Sequence, residues 1–158
     1  MGLEIERKFL VNHRLWQPPD NGILYRQGYI YTHNGNTVRI RIAGDKGFVT
    51  FKGKTKGMAR SEFEYEIPLE DAGEMLDTLC DRPLIEKIRY RIKIDHLTWE
   101  IDEFLGDNQG LLLAEVELSS ENQEIILPNW ITEEVTQDSR YYNSNLAKKP
   151  YGEWKMEN

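Results

Sequence analysis

The sequence predicts an α+β fold that is mainly antiparallel β: an eight-stranded closed barrel with covering helices and a short C-terminal helix. Three observations lead there. Polarity switches at every second residue along eight segments of the 158-residue chain, the period of a strand with two unlike faces. The polar face of nearly every segment is charged, and the sign is largely uniform within a segment. Few stretches break into helical spacing. A sheet with one wet face explains any single segment. It does not explain the set, because like charges at i and i+2 repel unless a neighbouring strand or a bound ion offsets them. Closing the sheet gathers the charged faces in one lumen, leaves apolar outer faces for helices to cover and removes the edge strands.

The elements follow in order. "LEIERKFLV" (3–11) sets Leu3, Ile5, Arg7 and Phe9 against Glu4, Glu6 and Lys8. "ILYRQGYIYT" (23–32) is a strand and "HNGN" (33–36) a turn. "TVRIRIAG" (37–44) opposes Arg39 and Arg41 to Val38, Ile40 and Ile42; "DKG" (45–47) turns the chain. "FVTFKGKT" (48–55) places Phe48, Thr50, Lys52 and Lys54 together. After the loop "KGMAR", "SEFEYEIPL" (61–69) opposes Glu62, Glu64 and Glu66 to Phe63, Tyr65 and Ile67. "EDAGEMLDTLC" (70–80) reads as a helix. Leu69, Ala72, Met75, Leu76 and Leu79 recur at helical spacing, and Glu70 and Asp71 suit its first turn.

Strands then resume. "IEKIRYRIKI" (85–94) carries Lys87, Arg89, Arg91 and Lys93 on one face. "LTWEIDEF" (97–104) carries Glu100 and Asp102, and "LLLAEVELS" (111–119) carries Glu115 and Glu117. "SENQEII" (120–126) reads as a short capped helix stopped by Pro128, and residues 139–149 as a short helix ending at Pro150.

Composition bounds the function. One domain is expected over 1–158, with a core of about 3–147 and a tail of 148–158. A net charge of −7 argues against nucleic-acid or anionic-membrane partners. The chain shows no secretory leader and no run of roughly 20 apolar residues, and Cys80 is alone, which fits a reducing, cytoplasmic setting. Cys80 reads as a buried structural thiol. His13, His33 and His96 lack zinc-site spacing, and Trp16, Trp99, Trp130 and Trp154 read as barrel cover. "KGKTKG" (52–57) lacks the P-loop pattern. Lys148 and Lys149 read as a helix end.

An ionic lumen is expensive to desolvate empty and makes sense with a highly charged guest. Arginines and lysines would hold a polyanion such as a phosphate chain. Carboxylates would hold hard divalent cations that bridge to the same phosphates. On that reading Glu4 and Glu6 face metal and Lys8 faces phosphate.

"EIERKFLV" carries an E-x-E-x-K pattern, and "VRIRI", "TFKGK", "SEFEYEI", "IEKIRYRI", "WEIDEF", "LLLAEVEL" and "EVTQDSRYYNSNLA" follow in order. Together they resemble the CYTH proteins, the triphosphate tunnel metalloenzymes, across residues 3 to 147. The resemblance implies a triphosphate-binding tunnel. It implies a metal set of Glu4, Glu6, Glu115 and Glu117 with Asp102 nearby, serving Mg²⁺ or Mn²⁺, two ions per site. It implies phosphate contacts from Lys8, Arg39, Arg41, Lys52, Lys87, Arg89 and the late Arg140, with Glu62 and Glu64 beside them. Catalysis would fall to Glu115, Glu117, Asp102 and Lys87. Lys54, Glu66, Arg91, Lys93 and Glu100 sit where strand ends leave the lumen.

The function this resemblance implies is metal-dependent hydrolysis of a triphosphate, inorganic tripolyphosphate first, with release of orthophosphate. The alternatives are an adenylate cyclase, a thiamine or nucleoside triphosphatase, or a polyphosphate- or nucleotide-binding protein without catalysis. A homodimer is a further family expectation.

Overall fold

The computed structural model describes residues 3–54 and 56–154. Nine strands form its framework: β1 Leu3–Val11, β2 Ile23–Tyr31, β3 Thr37–Ala43, β4 Lys46–Lys52, β5 Ala59–Ile67, β6 Ile85–Ile94, β7 Leu97–Phe104, β8 Leu112–Glu117 and β9 Ile131–Glu134. Eight of them run β5-β4-β3-β2-β6-β7-β8-β1 with antiparallel neighbours, and Leu3 to Ile5 of β1 pair with Ala59 to Ser61 of β5, which closes the barrel.

β1 holds the closure because its outer edge is divided. Its first three residues bond β5, whereas Phe9 and Val11 bond the extra strand β9. Arg7 projects from the outer face and grips Glu134 of β9 through Nη2 and Nε at 2.6 and 2.9 Å. The charge that breaks the apolar face of "LEIERKFLV" is thus a staple for a strand that the sequence pattern did not reveal.

The outer faces are covered by unlike means. Helix α1 (Leu69–Thr78) lays Ala72 and Leu76 on Ile40, Val38, Val49 and Ile67. Gly47 permits this approach, since a Cβ there would stand 2.7 Å from that of Ala72. Loops, not helices, cover β1, β7 and β8: Trp16 and Trp130 pack over Phe9, Trp99, Ala114 and Val116. Phe51, Phe63 and Tyr65 stay about half exposed on β4 and β5, and Leu69 and Leu79 of the anticipated helical apolar face are exposed too. Cys80 is half-buried beside this α1 cluster.

Several element boundaries differ from expectation. Residues 120–126 form no helix: a bend and turn run into irregular chain, Gln123 Oε1 accepts from Ser119 N at 2.6 Å and closes the turn, and Ile125 packs on the core cluster from there. The segment 139–149 divides into a 3₁₀ turn Ser139–Tyr141 and the one-turn helix α2 Asn143–Leu146, because Tyr142 between them is extended. Beyond Pro150 a further turn, α3 Tyr151–Trp154, packs Trp154 on Tyr141 and Tyr151. Of the anticipated tail, 155–158 lie outside the described residues.

The lumen is not ionic throughout. At one end Leu10, Tyr29, Ile85, Phe104 and Leu113 meet Val135, Tyr141, Leu146 and Ala147 from the C-terminal segment. This apolar plug confines charge to the rest of the barrel. Among the described residues no helix is long and apolar enough to cross a membrane.

Candidate functional site

Strand alternation sends the charged residues inward from seven strands. The resulting cavity, about 220 Å³, is lined by Glu4, Glu6 and Lys8 of β1, Arg39 and Arg41 of β3, and Lys52 of β4. Arg60, Glu62 and Glu64 of β5, Lys87, Arg89 and Arg91 of β6, Glu100 of β7, and Glu115 and Glu117 of β8 complete its charged wall. Register places Glu6 opposite Glu117 and Lys8 opposite Glu115, so the carboxylates of β1 and β8 share one sector. The arginines and Lys52 stand on the other strands.

Lys8, Lys52 and Arg39 are buried yet incompletely engaged. Lys8 Nζ lies 3.6 Å from Glu115, and Lys52 Nζ lies 3.9 and 3.7 Å from Glu4 and Glu62. These distances exceed a tight charge-assisted hydrogen bond, so donors are left for a guest. Arg39 bonds Glu64 through Nη2 at 3.2 Å, but its buried Nε has no hydrogen-bond partner. A buried unpaired donor on a cation calls for an anion. Burial, with Arg39 beside it, holds Lys52 well below the ordinary lysine range, and burial with Arg39 and Arg89 brings Arg41 down to about 9. Both shifts come first from burial and then from neighbouring cations.

Asp102 is committed to two cations. It is buried, and its Oδ1 accepts from Arg89 Nε at 2.7 Å while Oδ2 accepts from Arg89 Nη2 at 2.8 Å. Lys87 Nζ also reaches Oδ2 at 2.7 Å. Against burial, which would raise it, Arg89 and Lys87 hold Asp102 at about 2. With both oxygens committed, Asp102 positions two cations from behind the cavity wall. Lys87 itself is brought down to about 7, first by burial and then by Arg89 and Arg41, with Asp102 opposing.

Arg140 is not in the cavity. It lies on the surface, paired with Asp138 at 2.6 Å and stacked on Trp154 at 5.0 Å. The turn that Asp138 caps points it outward. Lys54, Glu66 and Lys93 also fall outside the cavity wall, whereas Arg91 and Glu100 belong to it. Glu64 lines the rim, its carboxylate accepting from Thr50 at 2.7 Å.

Sequence reasoning missed Arg60, because β5 starts two residues earlier than its pattern suggested and lifts "AR" out of the loop. It also missed Tyr29, Thr136, Tyr142, Asn143 and Ser144, which line the cavity. Tyr29 had a signal: it alternates with Tyr25 and Gln27 on β2. The others come from an irregular segment with no period to read.

The carboxylates of the β1–β8 sector fit a hard divalent cation by donor type. Burial, then Glu115 and Glu4, push the Glu6 carboxyl well above the usual range. Glu115, against its burial, is held well below it by Lys8, Arg89 and Lys87. Carboxylates crowded enough to raise one another form a natural seat for a cation. Among the described residues no three His, Cys, Asp or Glu side chains already converge as a metal site.

Fold and site together define a closed antiparallel barrel whose lumen seeks a polyanion. The CYTH domain model matches residues 2–151. The chain belongs to the CYTH domain family, whose triphosphate tunnel enzymes are metal-dependent. It is 50% identical over 155 residues to the inorganic triphosphatase of Acetivibrio thermocellus, covering 98% of this chain and 99% of that protein. It is 40% identical over 151 residues to the inorganic triphosphatase of Nitrosomonas europaea, covering 91% and 96%. The crystal structure of an inorganic triphosphatase superposes with a TM-score of 0.66 at 34% identity, over 90% of this chain and 96% of that one. A putative adenylate cyclase from Bacillus halodurans shares the fold, with a TM-score of 0.62 at 18% identity over 77% and 84% of the two chains.

Proposed function

We propose that this protein is a metal-dependent triphosphatase acting on inorganic tripolyphosphate and releasing orthophosphate. The observation that carries the reading is the segregation inside one cavity. Arg39, a buried cation with an unfilled donor, shares the cavity with the crowded carboxylates of β1 and β8. Similarity to two inorganic triphosphatases supports the choice of substrate.

Transfer of a terminal phosphoryl group needs chiefly positioning and neutralisation of developing charge. Lys8, Arg39, Arg41, Lys52 and Arg89 surround the space where a linear triphosphate lies, and Arg60 and Arg91 extend that surface. Each contact that strengthens in the transition state contributes roughly 2–4 kcal/mol. Asp102 keeps Arg89 and Lys87 aimed without occupying substrate space. Glu4, Glu6, Glu115 and Glu117 would hold Mg²⁺ or Mn²⁺, two ions in our reading, and Glu62 and Glu64 orient Lys52 and Arg39. Bound there, a divalent cation neutralises phosphate charge and lowers the pKa of water.

Incubation with Mg²⁺ or Mn²⁺ and, separately, tripolyphosphate, ATP and thiamine triphosphate tests this reading. Orthophosphate from tripolyphosphate is the expected product. Pyrophosphate with cyclic AMP from ATP overturns it, as does tight binding without turnover.

A further inference from the structure

Lys87 has a second partner, supplied from the C-terminal segment. Its Nζ donates to Asn143 Oδ1 at 2.9 Å, and Asn143 opens α2 in the segment that plugs the barrel. In its charged form Lys87 carries donors and no lone pair, so the amide atom facing it is oxygen. That same oxygen accepts from Gln27 Nε2 at 3.3 Å. Gln27 is fully buried and its orientation is forced in the same way, because its Oε1 accepts from Arg41 Nε at 2.8 Å and an arginine nitrogen only donates.

Hydrogen bonds therefore converge on Asn143 from both sides: Arg41 donates to Gln27, Gln27 donates to Asn143, and Lys87 donates to Asn143. Two neutral amides tie a β3 cation to a β6 cation. A carboxylate at this place would cancel the charge a guest needs; the amides fix both cations and leave their charge intact. With Oδ1 taken twice, Asn143 Nδ2 has no protein acceptor among the described residues, on a side chain that lines the cavity.

We propose that Asn143 is a substrate-contacting residue whose Nδ2 donates to a phosphoryl oxygen, while its Oδ1, with Gln27, positions Lys87 and Arg41. The inference rests on the triphosphatase reading and adds that the C-terminal segment supplies part of the site. Without that segment docked, the lumen keeps its charges but loses the bridge between them.

Steady-state kinetics on tripolyphosphate, with thermal melting and calorimetric tripolyphosphate binding, decide it for the full chain. Asn143→Asp keeps the shape and the oxygen toward Lys87 but loses the donor and adds a negative charge, so its loss counts for the contact only where uncharged Asn143→Ala loses as much. Asn143→Asp is expected to melt like the wild type and to lose at least tenfold in kcat/KM. Asn143→Ala is expected to lose at least as much, with KM raised and kcat lowered together. Asn145→Ala, whose parent side chain donates to Ser139 O at 2.8 Å in the same segment, is expected to melt lower yet keep kcat/KM within twofold. An Asn143→Asp enzyme within twofold of wild type overturns the inference. If wild type does not turn over tripolyphosphate, the functional reading fails by itself. Binding then decides: tenfold weaker affinity in both Asn143→Asp and Asn143→Ala upholds the contact, and wild-type affinity in Asn143→Ala, or no binding in wild type, overturns it.

Discussion

Arg89 and Asp102 face each other across β6 and β7 in a two-pronged ion pair, Nε to Oδ1 at 2.7 Å and Nη2 to Oδ2 at 2.8 Å, sealed from solvent. Register makes it: the two residues are direct partners in the antiparallel ladder. The carboxylate that the family resemblance sets near the metal anchors the cationic wall. Asp102→Asn removes the charge and leaves two buried cations unbalanced, a change that costs about 3–5 kcal/mol. Denaturant unfolding is expected to show that loss, together with reduced turnover.

The same pair sets an acid limit. Asp102 titrates at about 2 in the fold, against 3.8 as the ordinary value. Because its pKa is depressed, its contribution is present above pH 3.8 and is lost as pH falls toward 2. Acid unfolding of Asp102→Asn is expected to lack that part of the pH dependence, about 2 kcal/mol in size.

Lys87 titrates at about 7, against 10.5 as the ordinary value. The sign is opposite in origin: the fold disfavours its charged form, so the cost is largest below pH 7 and is relieved as pH rises from 7 to 10.5. Loss of that charge weakens anion binding. KM for tripolyphosphate is expected to rise through neutral pH in wild type, and Lys87→Arg, always charged, is expected to lack this inflection. Lys87→Gln is expected to lose roughly a hundredfold or more in kcat.

Proton release reports the carboxylate sector. Burial, then Glu115 and Glu4, raise the Glu6 carboxyl, so a divalent cation entering there is expected to displace protons. Titration with Mn²⁺ in buffers of unlike ionisation enthalpy is expected to show release below the Glu6 titration. Glu115→Gln and Glu117→Gln are expected to fold normally and lose activity by orders of magnitude; wild-type turnover in either removes them from the metal set. Chelation of the metal is expected to stop hydrolysis.

Arg140 offers a contrast. It pairs with Asp138 on the outside of the plug. Arg140→Ala is expected to keep kcat/KM within twofold. Trp154→Ala, which removes two aromatic contacts at 5.1 Å, is expected to lower stability by about 1–2 kcal/mol, read as a fall in melting temperature.

The alternation of residues 37–43 and 85–94 was enough to place Arg39, Arg41, Lys87 and Arg89 on one face, because a strand's period of two leaves no other choice. Nothing comparable marks Asn143 or Tyr142, whose segment follows no period and reaches the cavity only because Leu146 and Ala147 seek the apolar end of the barrel. Arg140 sits three residues earlier and faces solvent for the same reason.

By itself the sequence determined the barrel, its strand faces and the charge those faces carry inward, since these are local consequences of polarity repeating every second residue. Only the tertiary structure decided which inward charges meet a guest and which, like Asp102, are consumed by their neighbours. That outcome depends on register across strands and on where a distant segment closes the lumen, and both are distances between residues that sequence spacing does not carry.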